Sequence, residues 1–316
     1  MNLLVTGGCG YVGTMLVESL LKKGHKIRVI DTQWFGNYLK PSSNLEILKM
    51  DVRDVKIDHV QGINRIVHLA NIANDPAVEL DQTLSWEVNV LATQQLIETA
   101  VEYGEIGQFI YASSGSVYGV KEEEHVTEDL KLVPISAYNK TKMVAERVLR
   151  SYTKSIPVHS IRPATVCGLS PRMRLDVAVN ILTFQALSTG KITVLGGEQV
   201  RPNIHIKDMI SVYEHFLDNC DIIENGEYNA GFENISILDI AKMVQELINC
   251  EIEIKSSNDP RSYRQNSNKL LKTGFSPKHG VKQAIIDIKQ AFESGTLVDS
   301  SNFHTIKTMR KILESK

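Results

Sequence analysis

The stretch ISAYNKTKMVAE, residues 135–146, sets Tyr138 and Lys142 four residues apart where a helix is expected to begin. Four residues is little more than one helical turn, so a phenol and an ammonium on one face can meet one substrate and move a proton. Spacing alone decides nothing. With 35 Lys plus Arg among 316 residues, the ten tyrosines give roughly one Tyr-x-x-x-basic pair by accident. One is found, so the rest of the chain must supply the argument.

A second constellation is TGGCGYVG, which holds G-x-G-x-x-G at Gly8, Gly10 and Gly13 directly after an apolar run. In that context Gly8 would allow a tight turn, Gly10 would let backbone amides approach a pyrophosphate, and Gly13 would let helix and strand pack closely. The helix N-terminus adds amide donors and a positive dipole. Asp31 ends the next strand and can accept from both ribose hydroxyls of NAD, while repelling the 2′-phosphate of NADP. DTQWFGN offers no arginine immediately after it, so NAD is favoured; Arg28 or Lys40 would have to fold back to reverse that. Asp51 and Val52 follow the third strand, where a loop can meet the adenine edge, although position alone allows a solvated Asp51 equally. Ser113, Ser114 and Ser116 in SSGSVYG stand at the carboxyl end of a central strand, where open α/β sheets bind ligands and where serine also forms ordinary turns.

Elements that would position these residues alternate through the first half. Short apolar strands are expected at 3–6, 26–30, 45–50, 65–69, 108–112 and 158–161, with helices at 11–23, 84–103 and 137–154. That alternation argues for βαβ units and a Rossmann-type, doubly wound parallel sheet covered on both faces. In the first helix Val12, Met15, Leu16, Leu20 and Leu21 form the apolar face and Gly24 follows as a stop. Beyond Arg162-Pro163 the pattern loosens, with helices expected at 175–189, 207–219 and 237–249. The chain is therefore read as an NAD-binding domain at 1–168, to which some later segments return, and a smaller α/β substrate domain at 169–316.

Composition sets limits. The chain is 42% hydrophobic, long enough for a large core, and its formal charge of −2 gives no electrostatic reason to expect nucleic acid or a membrane surface. Four scattered cysteines without a C-x-x-C pair suit a reduced, cytoplasmic setting with no structural metal. MNLLVTGG lacks a basic n-region, and no window approaches a membrane span.

Taken in order, TGGCGYVG, DVRD, HLAN, NVLATQQLIETA, SSGSVYG, YNKTK, IRPATVCG, RPNIHIKD and DPRSYR resemble the extended short-chain dehydrogenase/reductase family, in its NAD-dependent epimerase/dehydratase group acting on nucleotide sugars. The resemblance spans nearly the whole chain. It implies that Tyr138 is the acid/base, that Lys142 is its electrostatic partner and a ribose ligand, and that Ser114 orients the reacting sugar oxygen. A nearby ammonium together with the nicotinamide cation would then bring the phenol down from its usual pKa of about 10. NAD contacts are implied at Gly7, Gly10, Tyr11, Val12, Asp31, Asp51, Val52, Leu69, Ala70, Asn89, Tyr138 and Lys142. Substrate contacts are implied at Ser114, Ser116, Asn180, Arg201 and Arg261, with Arg264 a further candidate and His205 structural. Arginine suits the pyrophosphate because its fork binds phosphate bidentately.

Departures from the family pattern narrow the reaction. Sugar 4,6-dehydratases of this group carry an Asp-Glu pair where this chain has Gly115 and Ser116, so dehydration is disfavoured. Thr165 replaces the Asn of many UDP-sugar 4-epimerases, which counts against UDP-galactose-type specificity, and SPRMRLD resembles a subgroup making surface-polysaccharide sugars, GDP-heptoses included. Its Arg172, Arg174 and Asp176 are expected either to touch the nucleotide or to lie in a solvated loop. The implied activity is epimerisation through a 4-keto sugar, with net C4 dehydrogenation as the alternative and a non-catalytic NAD-binding regulator as the rival. A homodimer through helices near 84–103 and 137–154 is also implied.

Overall fold

The computed structural model describes residues 1–256 and 262–315. Seven strands make the principal sheet: β1 (Asn2–Thr6), β2 (Lys26–Asp31), β3 (Leu45–Lys49), β4 (Arg65–His68), β5 (Phe109–Ala112), β6 (Val158–Pro163) and, after β7 (Thr165–Cys167), β8 (Lys191–Leu195) and β9 (Val200–His205), the edge strand β10 (Gly226–Ala230). Their order is β10-β6-β5-β4-β1-β2-β3, and every pairing is parallel. The doubly wound architecture expected from the alternation is therefore present. β10 lies far along the chain yet pairs with β6, which carries the sheet into the second half.

Continuous apolar strands follow from burial on both faces. Leu3 and Val5 of β1 pack with Leu16 and Leu20 of the helix Tyr11–Lys22 and with Phe216 of the helix Ile206–Asp218. Leu4, between them, points the other way and joins Leu96, Ala145 and Leu149. Those residues come from the helices Ala92–Tyr103 and Ala137–Arg150.

The expected helix at 84–103 begins at Gln82, because the Asp81 carboxylate accepts from Leu84 N (2.9 Å). It widens into a π-type turn over Glu87–Leu91 and stops at Gly104, which adopts φ +78°. Ser136 caps Ala137–Arg150 by accepting from Asn139 N, which fixes the first turn that carries Tyr138. That helix stops at Arg150, short of the expected residue 154. Likewise the helix expected from 175 starts at Ala178, leaving residues 168–177 as an irregular connection.

In the smaller part, β8 pairs in parallel with β12 (Glu251–Lys255), and β11 (Glu233–Ser236) joins β9 and β7. Helices Ala178–Thr189, Ile237–Leu247 and Val281–Glu293 close a separate apolar cluster around Val179, Ile192, Val244 and Ile285. A last helix, Thr305–Glu314, returns to the principal sheet's side, where Met309 packs among the residues around Leu4 and Ile30. Among the described residues, no helix is long and apolar enough to cross a membrane.

Candidate active site

Strand order reverses between β1 and β4, since the chain winds out through β2 and β3 and then resumes on β1's other side. Ligands of such sheets sit outside the carboxyl ends of the strands at that point. A cavity of about 420 Å³ lies there, with Gly7, Gly10, Tyr11, Val12, Asp31, Leu69 and Ala70 on its wall.

The glycine turn differs in detail from its expected form. The positive φ falls at Gly7 (+70°), where an added Cβ would stand 2.7 Å from Ala70 N, and Gly8 instead backs onto the Val29 methyls. Gly13 is obligatory for the reason expected: a Cβ there would lie 2.2 Å from Gly7 O. Asp31 receives Cys9 N on Oδ2 (2.9 Å) and Gln33 N on Oδ1 (2.7 Å). Burial raises its pKa, and those two amides oppose the rise. Asp51 is not a free solvated carboxylate: it caps Val52–Asp54 and pairs with Arg53 (2.9 Å), while both Asp51 and Val52 line the cavity. The glycine cradle, the ribose-facing carboxylate and the apolar adenine-side wall together fit a dinucleotide.

At the other end Ser114, Ser116 and Tyr138 share the wall. The serine hydroxyls are 2.8 Å apart, and Ser114 Oγ also accepts from Ser116 N, which holds it at the strand end. Burial pushes the Tyr138 phenol up to about 12; a hydrogen bond from Ser114 opposes this, Asp75 adds to it, and Arg174 opposes it. Asp75 lines the cavity too, and its carboxylate accepts from Ser136, the cap of the Tyr138 helix.

Lys142 stands behind this wall. It is 2% exposed, its Nζ donates to Ala112 O (2.6 Å), and it lies 5.9 Å from the Tyr138 ring centroid. Burial brings the ammonium down to about 7, with Glu146 pushing back. The expected lowering of the phenol by this lysine is therefore absent from the chain alone, because desolvation dominates both groups and the amine is turned to a carbonyl.

Two expected ligands are committed elsewhere. Asn89 is fully buried, bonded to Ile72 N (2.8 Å), Ile72 O (3.1 Å) and Thr141 Oγ1 (3.1 Å), so it braces the loop after β4 rather than lining the cavity. Asn180 accepts from Gly168 N (2.9 Å) and donates to Arg174 O (3.0 Å) and Tyr11 Oη (3.2 Å). With both ends of its amide used, it ties the connection after β7 to the first helix instead of presenting itself to a sugar nucleotide. Arg201 is on the wall, from β9. Arg261 lies outside the described residues.

The cavity also holds residues that sequence patterns singled out weakly or missed. Arg172 and Arg174 line it, so SPRMRLD is no solvated loop. Trp34, Phe35, Thr305 and Met309 complete the wall. The last two come from a helix with no motif to announce it. Among the described residues, no group of three or more His, Cys, Asp or Glu side chains could hold a metal ion.

Residues 3–231 match the model of the NAD dependent epimerase/dehydratase family. A UDP-glucose 4-epimerase of Lactobacillus helveticus is 26% identical over 308 residues, covering 88% of this chain and 93% of that protein. An uncharacterized UDP-glucose epimerase of Bacillus subtilis is 31% identical over 271 residues, covering 78% of this chain and 82% of its own length. Among solved structures, a UDP-glucuronic acid 4-epimerase of Bacillus cereus in complex with UDP-glucuronic acid and NAD superposes with a TM-score of 0.80 at 27% identity, over 92% of this chain and 99% of that one.

Proposed function

This chain belongs to the NAD-dependent epimerase/dehydratase family, and from that premise we propose that it inverts C4 of a UDP-hexose through a 4-keto intermediate. The observation that carries the reading is the meeting of Ser114, Ser116 and Tyr138 at one end of a cavity whose other end is the glycine turn and Asp31. The acid-base pair of a 4,6-dehydratase is missing at Gly115 and Ser116. The UDP moiety is inferred from the relatives' substrates.

When bound beside the glycine turn and Asp31, NAD would supply the acceptor and donor for the C4 hydride. The protein's own part is proton management and orientation. Ser114 holds the C4 hydroxyl toward Tyr138, whose phenolate accepts the hydroxyl proton as the ketone forms and returns it after the sugar has turned over. Since burial sets the phenol near about 12, the site must lower it when filled, by adding positive charge beside it. Lys142, released from Ala112 O toward a ribose hydroxyl, is assigned that task together with Arg174. Arg201 is assigned to the sugar nucleotide's pyrophosphate, and Arg261 with it by family pattern. Asn180 is assigned an indirect part, through the segment it anchors.

The reading extends to a cytoplasmic homodimer serving polysaccharide assembly. It is supported at the dimer level by exposed Trp86 and Leu91 on the helical stretch 82–103. Incubation with UDP-glucose, UDP-glucuronic acid and UDP-N-acetylglucosamine, without added cofactor, tests the activity. One of these is expected to give its C4 epimer catalytically, and Tyr138→Phe is expected to lose turnover about 10³-fold while keeping bound NAD. Stoichiometric release of a 4-keto sugar would replace the epimerase reading with the dehydrogenase one.

A further inference from the structure

Residues 168–176 run along the cavity, set Arg172 and Arg174 on its wall, and are fastened at several points. Tyr11 Oη donates to Gly168 O (2.6 Å), Ser170 Oγ donates to Tyr11 O (2.8 Å), and Leu175 N donates to Phe303 O (2.9 Å). Met173 and Leu175 are buried against Tyr11 and Phe303. Arg174 forks onto Asp176, which also accepts from Asn74 (3.2 Å), itself on the cavity wall. The segment is thus held against Tyr11, the first residue of the helix whose N-terminus the glycine turn leads into.

Arg172 is the exception to this satisfied network. It is 3% exposed, its guanidinium stacks over Phe35 (4.2 Å to the ring centroid), and Nη2 donates to the Thr305 hydroxyl (3.4 Å). Its Nε is buried and has no hydrogen-bond partner among the described residues. Burial and the Arg174 charge bring it down to about 10 against the opposing pull of Asp176, Tyr38 and Asp31. A buried guanidinium with an unsatisfied N–H is costly unless an anion completes it. It lines the same cavity as Tyr11 and Val12, which open the first helix and place its N-terminal amides and dipole on that wall.

We propose that Arg172 donates from Nε to the pyrophosphate of bound NAD, opposite the glycine turn, so that residues 168–176 form a clasp that retains the cofactor. The assignment rests on the NAD-binding reading of this cavity. It gives the substrate-side half of the chain a direct hold on the cofactor and makes slow cofactor exchange a built-in property. An enzyme that must return the same hydride benefits from that retention.

The test is binding of NAD, ADP and adenosine to cofactor-stripped protein by calorimetry, with NAD dissociation followed by displacement. In Arg172→Met, which keeps an apolar stem over Phe35, the Kd for NAD and for ADP should rise about 10- to 100-fold, the loss of one charge-assisted hydrogen bond. Adenosine affinity should be unchanged, and NAD dissociation should quicken correspondingly. Unchanged NAD and ADP affinities would overturn the proposal. So would an equal fall for all three ligands, which would mean that Arg172 only packs the wall. If Arg172→Met does not fold, Arg172→Lys carries the same comparison with a smaller, about 3- to 10-fold, loss for the two phosphates. Wild-type protein that binds none of the three would instead remove the NAD-binding reading itself.

Discussion

Lys142 gives a prediction that can be followed with no substrate. Burial holds its ammonium at about 7 against an ordinary 10.5. Between those values the unfolded chain keeps a proton that the folded chain has released, so stability rises with pH across the interval. Below pH 7 the full cost of burying the ammonium is present, on the order of 5 kcal/mol at about 1.36 kcal/mol for each pH unit between 7 and 10.5. Lys142→Met removes that cost but leaves the Ala112 carbonyl without its donor, a loss of about 1–2 kcal/mol. The variant should therefore be about 3 kcal/mol more stable than the parent at pH 6, with the advantage gone near pH 9.5. Tyr138 does not confuse the comparison, because its phenol titrates above that window. Denaturant unfolding of cofactor-free protein from pH 6 to 9.5 measures the difference. A gap between variant and parent that does not change with pH would refute the argument that Lys142 is desolvated in the free enzyme.

Further consequences concern the walls of the cavity. Gly13→Ala puts a methyl 2.2 Å from Gly7 O, and the protein should lose about 3 kcal/mol or more and be isolated without NAD, as a melting curve and a cofactor assay would register. Asp31→Asn keeps an acceptor for only one of the Cys9 and Gln33 amides and loses the charge; NAD should bind about 10-fold more weakly and the preference over NADP should narrow in a side-by-side titration. Ser114→Ala should lower kcat about 100-fold with little change in KM, since the hydroxyl acts on the reacting oxygen rather than on the nucleotide.

Local features of this site were readable from sequence. Glycine spacing, Asp31 at a strand end and the serines after β5 depend on residues adjacent in the chain, and each sits on the cavity wall. What sequence could not convey is which way a side chain turns once neighbours compete for it. Asn180 carries the family's pattern, yet Gly168, Arg174 and Tyr11 take its amide. Lys142 shares a helical face with Tyr138, but a carbonyl of β5 draws its amine away. The clasp needs Phe303, Thr305 and residue 11 brought together across nearly the whole chain, which no local pattern records. The second half was legible as helices alone. Its strands are short, and β8 and β12 form only a two-stranded pair, which leaves little periodicity to read.

The central claim, that Tyr138 moves the C4 hydroxyl proton while one hydride leaves and returns, is tested most directly by isotope tracing. A UDP-hexose deuterated at C4 would be turned over in ordinary water without added NAD, and a parallel run of unlabelled sugar would be made in D₂O. The account predicts an epimer that keeps its deuterium at C4 in the first run and takes up no solvent deuterium at C5 in the second. Loss of the C4 label to exchangeable NADH, or solvent deuterium appearing at C5, would contradict it.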